Sequence, residues 1–504
     1  MYESPLVDPV GIPLSAAFAP PAEERWLDVT DVTTGQVLLR VADCGEKDVD
    51  GAVAAAAEAA DRWRRLPSFA RTEAMLRWAD ALGAHRGRLA ELVARETGAL
   101  RSEAAADVDR AMACVRHYAG LVGTVDGRTL NGIPGHRGHT VREPYGVVAG
   151  LAPWTSALFL FARQAAPALA CGNGYVLRAD PTAPLGPVLM AHLAQTAGVD
   201  AVTALTGRDT TRGHLAGHPA VGMIAFAGTV EEGREVIRAS AEPVTPLTVH
   251  LATRNSAFVL ADADLAVAVP CVLHSRFSHA GQNLFGTSHV YVHTSRYDAF
   301  VEAAVALVRR IRVAGPLDAD AQLGPLISAR ARDRVEAAVA AGVADGARIR
   351  AGGRRAPGPD AGAYFEPTVV TDASPSNPLR AGQVTGPVLT LSAFEDAARA
   401  AGEADTTRPG GIAQIWGHSA PAVHDLAGRL EAGTVWINTH DALDPEIPLT
   451  PWQRGGYGAS GGLEAIDEHT RTKAVVWDLT PLAERTAALK KTVARSSSGR
   501  PDHG

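Results

Sequence analysis

A few side chains in this sequence could move protons, hold anions or attack a carbonyl, and their spacing limits what each can do. The four cysteines, Cys44, Cys114, Cys171 and Cys271, lie far apart with no CxxC pair, which suggests neither a disulfide framework nor a zinc site. Each reads as a small buried hydrophobe. His250 carries an imidazole that titrates at about 6.5 when unperturbed. It can serve as general acid or base, or fill its site bonded to backbone. His274, His289 and His440 have no partner spacing that suggests a metal, so no metal site is expected. Thr229, after Phe226-Ala227-Gly228, stands at a helix start, where it can bond a phosphate. Arg208, Arg212 and Arg254 could pair with phosphate or carboxylate, although solvated surface arginines are commoner.

Periodicity predicts the elements that position these groups. Trp26 to Val41 alternates and turns at Thr34-Gly35, as a hairpin does. Helices are expected over Asp48–Arg65, Ser68–His85, Gly87–Glu96 and Glu103–Leu121, where apolar residues recur at helical spacing. Gly127 to Glu143 reads as an extended arm. Strands at Tyr145–Leu151, Tyr175–Arg178, Val202–Thr206 and Ile224–Phe226 then alternate with helices, and the pattern repeats from Ala257 through Ile437. Such alternation implies parallel βαβ units, and hence two doubly wound α/β domains in succession.

Bulk properties exclude several function classes. At 504 residues the chain should divide into two or three units. A net charge of −7 and a pI near 6.2 give no electrostatic case for nucleic acid or an anionic membrane. No apolar run approaches the roughly 20 residues that span a bilayer. The first residues lack the basic-then-apolar layout of a signal peptide, so a cytoplasmic location is expected.

Local strings carry a resemblance. Glu96-Thr97-Gly98, Pro153-Trp154, Ala166-Pro167-Ala168-Leu169, Leu323-Gly324-Pro325-Leu326, Phe365-Glu366-Pro367-Thr368 and Gly433-Thr434-Val435-Trp436-Ile437-Asn438 occur in one order between Trp26 and Trp477. With the layout of elements, the chain resembles the aldehyde dehydrogenase superfamily. The resemblance implies a nicotinamide-binding type of domain over 22–126 and 147–246, and an oligomerisation arm over 127–146 and 471–482. It also implies a catalytic-type domain over 247–446 and a return to the first domain over 447–470, with a disordered tail expected at 488–504. A homo-oligomer, dimer or tetramer, is implied by the arm.

Against that resemblance the reactive positions depart. Phe277 to Leu284 resembles the segment that carries the nucleophilic cysteine, and Leu284 stands at the cysteine position. A leucine can neither add to an aldehyde nor leave as a thioester sulfur. His250 stands where the family has its general-base glutamate, Thr155 where an asparagine holds the oxyanion, and Gln164 where a lysine is common. Asn283 brings an amide near the expected oxyanion. Trp154, Arg178, Gly228, Thr229 and Gln383 fall at cofactor-binding positions. Asp180, however, is one residue from the expected ribose carboxylate, Gln383 replaces another carboxylate, and a glycine loop is missing at Thr206-Gly207-Arg208. NAD or NADP binding is therefore possible but weakened. Three readings follow: a repurposed non-covalent catalyst on a carbonyl or imine substrate, a silent partner subunit or binding protein, and direct hydride transfer without an acyl-enzyme. Polar residues at the vacated positions favour the first.

Overall fold

A computed structural model describes residues 20–132, 134–358, 362–382, 384–407, 410–486 and 490. The chain begins with a hairpin, β1 (Trp26–Thr30) and β2 (Val37–Ala42). Four helices follow: α1 (Glu46–Arg65), α2 (Ser68–Ala84), α3 (Arg86–Thr97) and α4 (Arg101–Leu121). In α1, Val49, Val53, Ala56, Ala60 and Trp63 recur at intervals of three and four and are the buried face. The first two strands of the arm follow, β3 (Thr129–Leu130) and β4 (His136–Pro144).

The first α/β unit runs through β5 (Val147–Leu151), α5 (Ala157–Ala170), β6 (Gly174–Ala179), α6 (Leu185–Thr196), β7 (Val202–Thr206), α7 (Asp209–Ala216), β8 (Met223–Gly228), α8 (Val230–Ala241) and β9 (Leu247–Leu251). Every residue of β5, β6 and β8 is buried. These strands are covered on both faces, which is why they read as continuous apolar runs. The second unit opens with β10 (Asn255–Val259), α9 (Leu265–Phe277), β11 (Thr287–His293), α10 (Thr294–Val308), α11 (Ala329–Ala344), β12 (Arg348–Ala351) and β13 (Thr368–Thr371). It continues with α12 (Pro378–Ala381), β14 (Val388–Phe394), α13 (Ala397–Thr407), β15 (Ile412–Trp416), α14 (Ala420–Arg429) and β16 (Thr434–Ile437). The described chain closes with β17 (Gly456–Tyr457), α15 (Glu464–Glu468) and β18 (Thr470–Asp478).

Two mixed sheets result, parallel except at one edge each. The six-stranded sheet has the order β17-β9-β8-β5-β6-β7, and the seven-stranded sheet β12-β13-β14-β11-β10-β15-β16. In both, the strand order reverses inside the sheet, and ligands bind outside the carboxyl ends of strands at such switch points. The chain is a mixed α/β protein with doubly wound parallel sheets, as the alternation predicts. The boundary expected at residue 247 moves, because β9 pairs in parallel with β8 and so belongs to the first sheet. β17 then pairs antiparallel with β9, Gly456 opposite His250. After Thr206-Gly207, where the glycine loop is missing, Arg208 is the N-cap of α7. The short DTTRGHLA run of this helix, with Thr and Gly inside, hides the helical period.

β18 pairs with β4 from Thr470 opposite Pro144 to Asp478 opposite His136, with β3 outside β4. Val476, Trp477 and Leu479 stay exposed on this arm. Apart from Lys490, the tail expected at 488–504 lies outside the described residues. Among the described residues, no helix is long and apolar enough to cross a membrane.

Candidate functional site

A pocket opens between the two units, with about 860 Å³ of empty space, part of it continuous with solvent. β9 supplies His250 to it, α5 supplies Leu160, Arg163 and Gln164, and the segment after α9 supplies Leu284 and Phe285. The far wall comes from Gly410–Ile412 and from Leu449–Pro451 with Ser460 and His469.

Backbone geometry sets Leu284. His279, Ala280 and Gly281 take left-handed φ values of 53°, 54° and 72° in succession, turning the chain sharply after α9. A methyl group at Gly281 would lie 2.1 Å from the Gly386 carbonyl oxygen, so the turn requires glycine there. Asn255 then staples the segment: its Nδ2 donates to the Leu284 carbonyl at 2.9 Å and to that of Gly286 at 3.2 Å. The Leu284 side chain packs against the core of the first unit.

His250 presents a buried Nε2 that has no hydrogen-bond partner. Burial, with the Arg163 guanidinium adding to it, pushes the imidazole down to about 3. The expected general-base role is corrected accordingly: the ring is neutral at any physiological pH, and a base this weak takes a proton poorly. Arg163 is buried and gives Nη2 to the Ile447 and Ser460 carbonyls, both at 2.7 Å, and Nε to Ser460 Oγ at 3.1 Å. Its Nη1 has no partner. Gln164 accepts from the Tyr175 hydroxyl at 2.8 Å. His469, also held low by burial at about 4, bonds through Nδ1 to the Ala465 carbonyl at 2.7 Å.

Two expected site residues are not with this group. Thr155 donates its hydroxyl to the Gln282 carbonyl at 3.0 Å and lines a separate small cavity with Trp154, Asp107 and His279. Its hydrogen is committed to backbone, so it is no oxyanion donor in the His250 pocket. Asn283 donates to Ser278 Oγ at 3.1 Å and accepts from the Phe285 amide at 3.0 Å, which makes it part of the turn. Sequence reasoning missed Arg163 and Asn255. A cation in the middle of the apolar run ALFLFARQAAPALA was the available signal for the first. Asn255 gave none, because its partners are distant backbone groups.

The positions expected to hold a dinucleotide lie at the ends of β6 and β8. Arg178, at the end of β6, is buried with Nη1 4.0 Å from Asp180 and Nη2 3.7 Å from Asp209. Arg212 meets Asp209 at 3.0 Å, Glu232 at 2.8 Å and Glu235 at 2.7 Å. Thr229 caps α8 by accepting from the Glu232 amide at 3.2 Å, while Glu232 accepts from the Thr229 amide and hydroxyl at 3.1 and 2.8 Å. Gly228 precedes this box, and a methyl there would lie 3.1 Å from the Glu232 carboxylate. Four carboxylates thus surround two guanidiniums, and one of them already occupies the start of α8. A pyrophosphate would have to displace the Glu232 carboxylate from the start of α8, although Arg178 Nε is buried without a hydrogen-bond partner. Gln383 lies outside the described residues. Trp154 belongs to the small cavity and does not line the His250 pocket.

The histidines read as background separate into two cases. His289 is a core residue, its Nδ1 2.6 Å from Thr390 Oγ1. His274 and His440, which have no partner by spacing, are brought together by the fold with Nδ1 and Nε2 3.0 Å apart. Tertiary structure here overrides a separation of 166 positions.

Comparison with known proteins agrees with the architecture. The model of the aldehyde dehydrogenase family matches residues 18–475. A phenylacetaldehyde dehydrogenase of Pseudomonas fluorescens is 34% identical over 466 residues, which are 90% of this chain and 93% of that protein. The crystal structure of betaine aldehyde dehydrogenase from Staphylococcus aureus in complex with NAD+ superposes with a TM-score of 0.89 at 28% identity, covering 92% of this chain and 94% of that one. A mutant aldehyde dehydrogenase from Bacillus cereus gives the same score and identity, with 92% and 95% covered. By sequence and by fold alike, the chain belongs to the aldehyde dehydrogenase family.

Proposed function

We propose that this family member does not oxidise aldehydes through a thioester, and instead holds a small carbonyl or imine compound without covalent attachment between Leu284 and His250. The observation that carries the reading is the pocket wall: an isobutyl group at Leu284 faces the same space as a neutral imidazole, and no cysteine is among the lining residues. The thiols elsewhere are poor substitutes. Burial pushes Cys44 up to about 11 and Cys114 and Cys171 up to about 12, far from the thiolate form at neutral pH. Cys271 is partly exposed on α9, outside the pocket.

A neutral imidazole with its proton on Nε2 donates a hydrogen bond to a carbonyl oxygen, a role that a low basicity favours over proton abstraction. The Arg163 guanidinium nearby adds positive potential. Both groups stabilise negative charge developing on that oxygen, which suits hydration, isomerisation or cyclisation of a carbonyl or imine. Direct hydride transfer is disfavoured by the carboxylate at the start of α8. The test is turnover of simple aldehydes with NAD and NADP by purified protein, expected to be nil. Oxidation that a thiol-directed reagent abolishes would overturn the reading.

A second reading, a silent partner subunit, is favoured by one observation. The arm leaves Val476 52%, Trp477 55% and Leu479 58% exposed, an apolar surface suited to burial against another chain. A His250→Ala variant separates the two. Loss of product points to the pocket, and unchanged product with unchanged assembly in light scattering points to the partner role.

A further inference from the structure

We propose that His274, His440 and Asp441 bind one divalent cation of the zinc, cobalt or nickel type at the seam between α9, the loop after β16 and α4. Each residue offers one ligand atom, and the three atoms lie within 4.8 Å of one another. The His274 Nδ1 to His440 Nε2 separation is 3.0 Å, a hydrogen bond that a shared ion would replace, and the rings stand at 66° to each other. Two ligands about 2.1 Å from one ion are about 3.0 Å apart at right angles and about 3.4 Å apart at the tetrahedral angle of zinc, so the pair needs to open by only a few tenths of an ångström.

The carboxylate supplies the second, independent observation. The Asp441 side chain is only 10% exposed, and its nearest cationic neighbour is Arg110 Nη2 at 3.9 Å, beyond hydrogen-bond reach. Its Oδ1 is buried with no hydrogen-bond partner. A buried carboxylate oxygen without a donor is costly, and a cation among the three ligand atoms removes that cost.

The loop that carries two of the ligands is held in place before any ion arrives. Asn438 and Asp441 both take left-handed φ, 53° and 50°. Asn438 accepts from the Gly417 amide at 2.9 Å and donates to the Gly417 carbonyl at 2.8 Å. Leu443, buried just beyond, anchors the other end. Two imidazoles and one carboxylate select borderline transition metals over calcium and magnesium, which prefer oxygen ligands. Three protein ligands leave at least one position for water. Arg110, on α4, opposes a dication at this point and limits its affinity.

Calorimetric titration of the full-length chain with zinc, nickel and magnesium chlorides tests the site. One zinc or nickel per chain is expected at micromolar affinity, with no magnesium uptake. His440→Ala and Asp441→Asn should each weaken it by about tenfold or more, since even outer partners of metal ligands carry that much, and Arg110→Gln should tighten it. The surface trio His214, His218 and Asp50, with contacts of 2.8 and 3.4 Å, is the competing site. His214→Ala should leave the stoichiometry unchanged. Cobalt(II) absorption of the wild-type chain gives a readout that needs no variant to fold. Absence of stoichiometric metal, or binding that responds to His214→Ala and not to His440→Ala, would overturn the proposal.

Discussion

The pocket around His250 and the crevice at the ends of β6 and β8 are built from similar residues with opposite outcomes. In the pocket, three buried nitrogens, His250 Nε2, Arg163 Nη1 and His469 Nε2, have no partner. In the crevice, Arg212 is met by Asp209, Glu232 and Glu235, and Thr229 and Glu232 satisfy each other, while Arg178 Nε is left without a hydrogen-bond partner. Unpaired buried polar atoms cost stability and persist where a ligand can complete them, whereas charges already paired at a helix start resist an incoming anion. The difference favours the pocket over the start of α8 as the place for the small carbonyl or imine compound proposed above.

The largest expected effect concerns the turn that sets the pocket. Gly281→Ala places a methyl against the Gly386 carbonyl in a left-handed conformation, and should cost about 2–4 kcal/mol, read from the urea midpoint. If the cost is below about 0.5 kcal/mol, the turn relaxes freely and Leu284 is not held where the comparison requires.

Acid should separate the two regions next. His250 is held at about 3 in the folded chain and titrates at about 6.5 when unfolded, so between those values the unfolded state binds more protons. The stability it contributes is complete above about 6.5 and is lost as pH falls through that window, by about 1.4 kcal/mol per pH unit. His469, at about 4, adds the same sign over a narrower window. His250→Gln should therefore lose about 2 kcal/mol less than wild type between pH 7.5 and 5, measured by urea unfolding. Equal losses would mean that water reaches the imidazole and that burial does not hold it neutral. Arg163→Met should raise the His250 titration point in NMR, because a positive neighbour is removed.

What could be read from the residues divides along a physical line. Local periodicity gave α1 to α4 and the all-apolar strands β5, β6 and β8, because helices and parallel strands bury themselves by patterns within a dozen residues. Family strings placed Leu284 and His250 in one pocket, and the fold brings them there. The environment of each group was not legible. Thr155 and Asn283 have the right atoms, but Gln282, Ser278 and Phe285 claim them. His250 looks like a base until burial and Arg163 are known, and His274 meets His440 only through the packing of α9 against the loop after β16. Side-chain chemistry can be read one residue at a time, while hydrogen-bond partners and titration depend on neighbours far along the chain.

The smallest expected effect is also the most diagnostic for the crevice. Glu232 holds the start of α8 through Thr229, and it neutralises one face of Arg212. Glu232→Gln keeps the shape and removes the charge. Loss of a capping carboxylate should lower stability by about 1 kcal/mol, since Glu235 and Asp209 still face Arg212. With one negative charge gone, the amides at the start of α8 and Arg212 become more available to phosphate. Titration calorimetry should then detect NAD at millimolar concentration in the variant and not in the wild type. Micromolar NAD binding by the wild-type chain would break the comparison, because it would mean that Glu232 and Arg212 part at little cost and that the crevice is as ready for a ligand as the pocket.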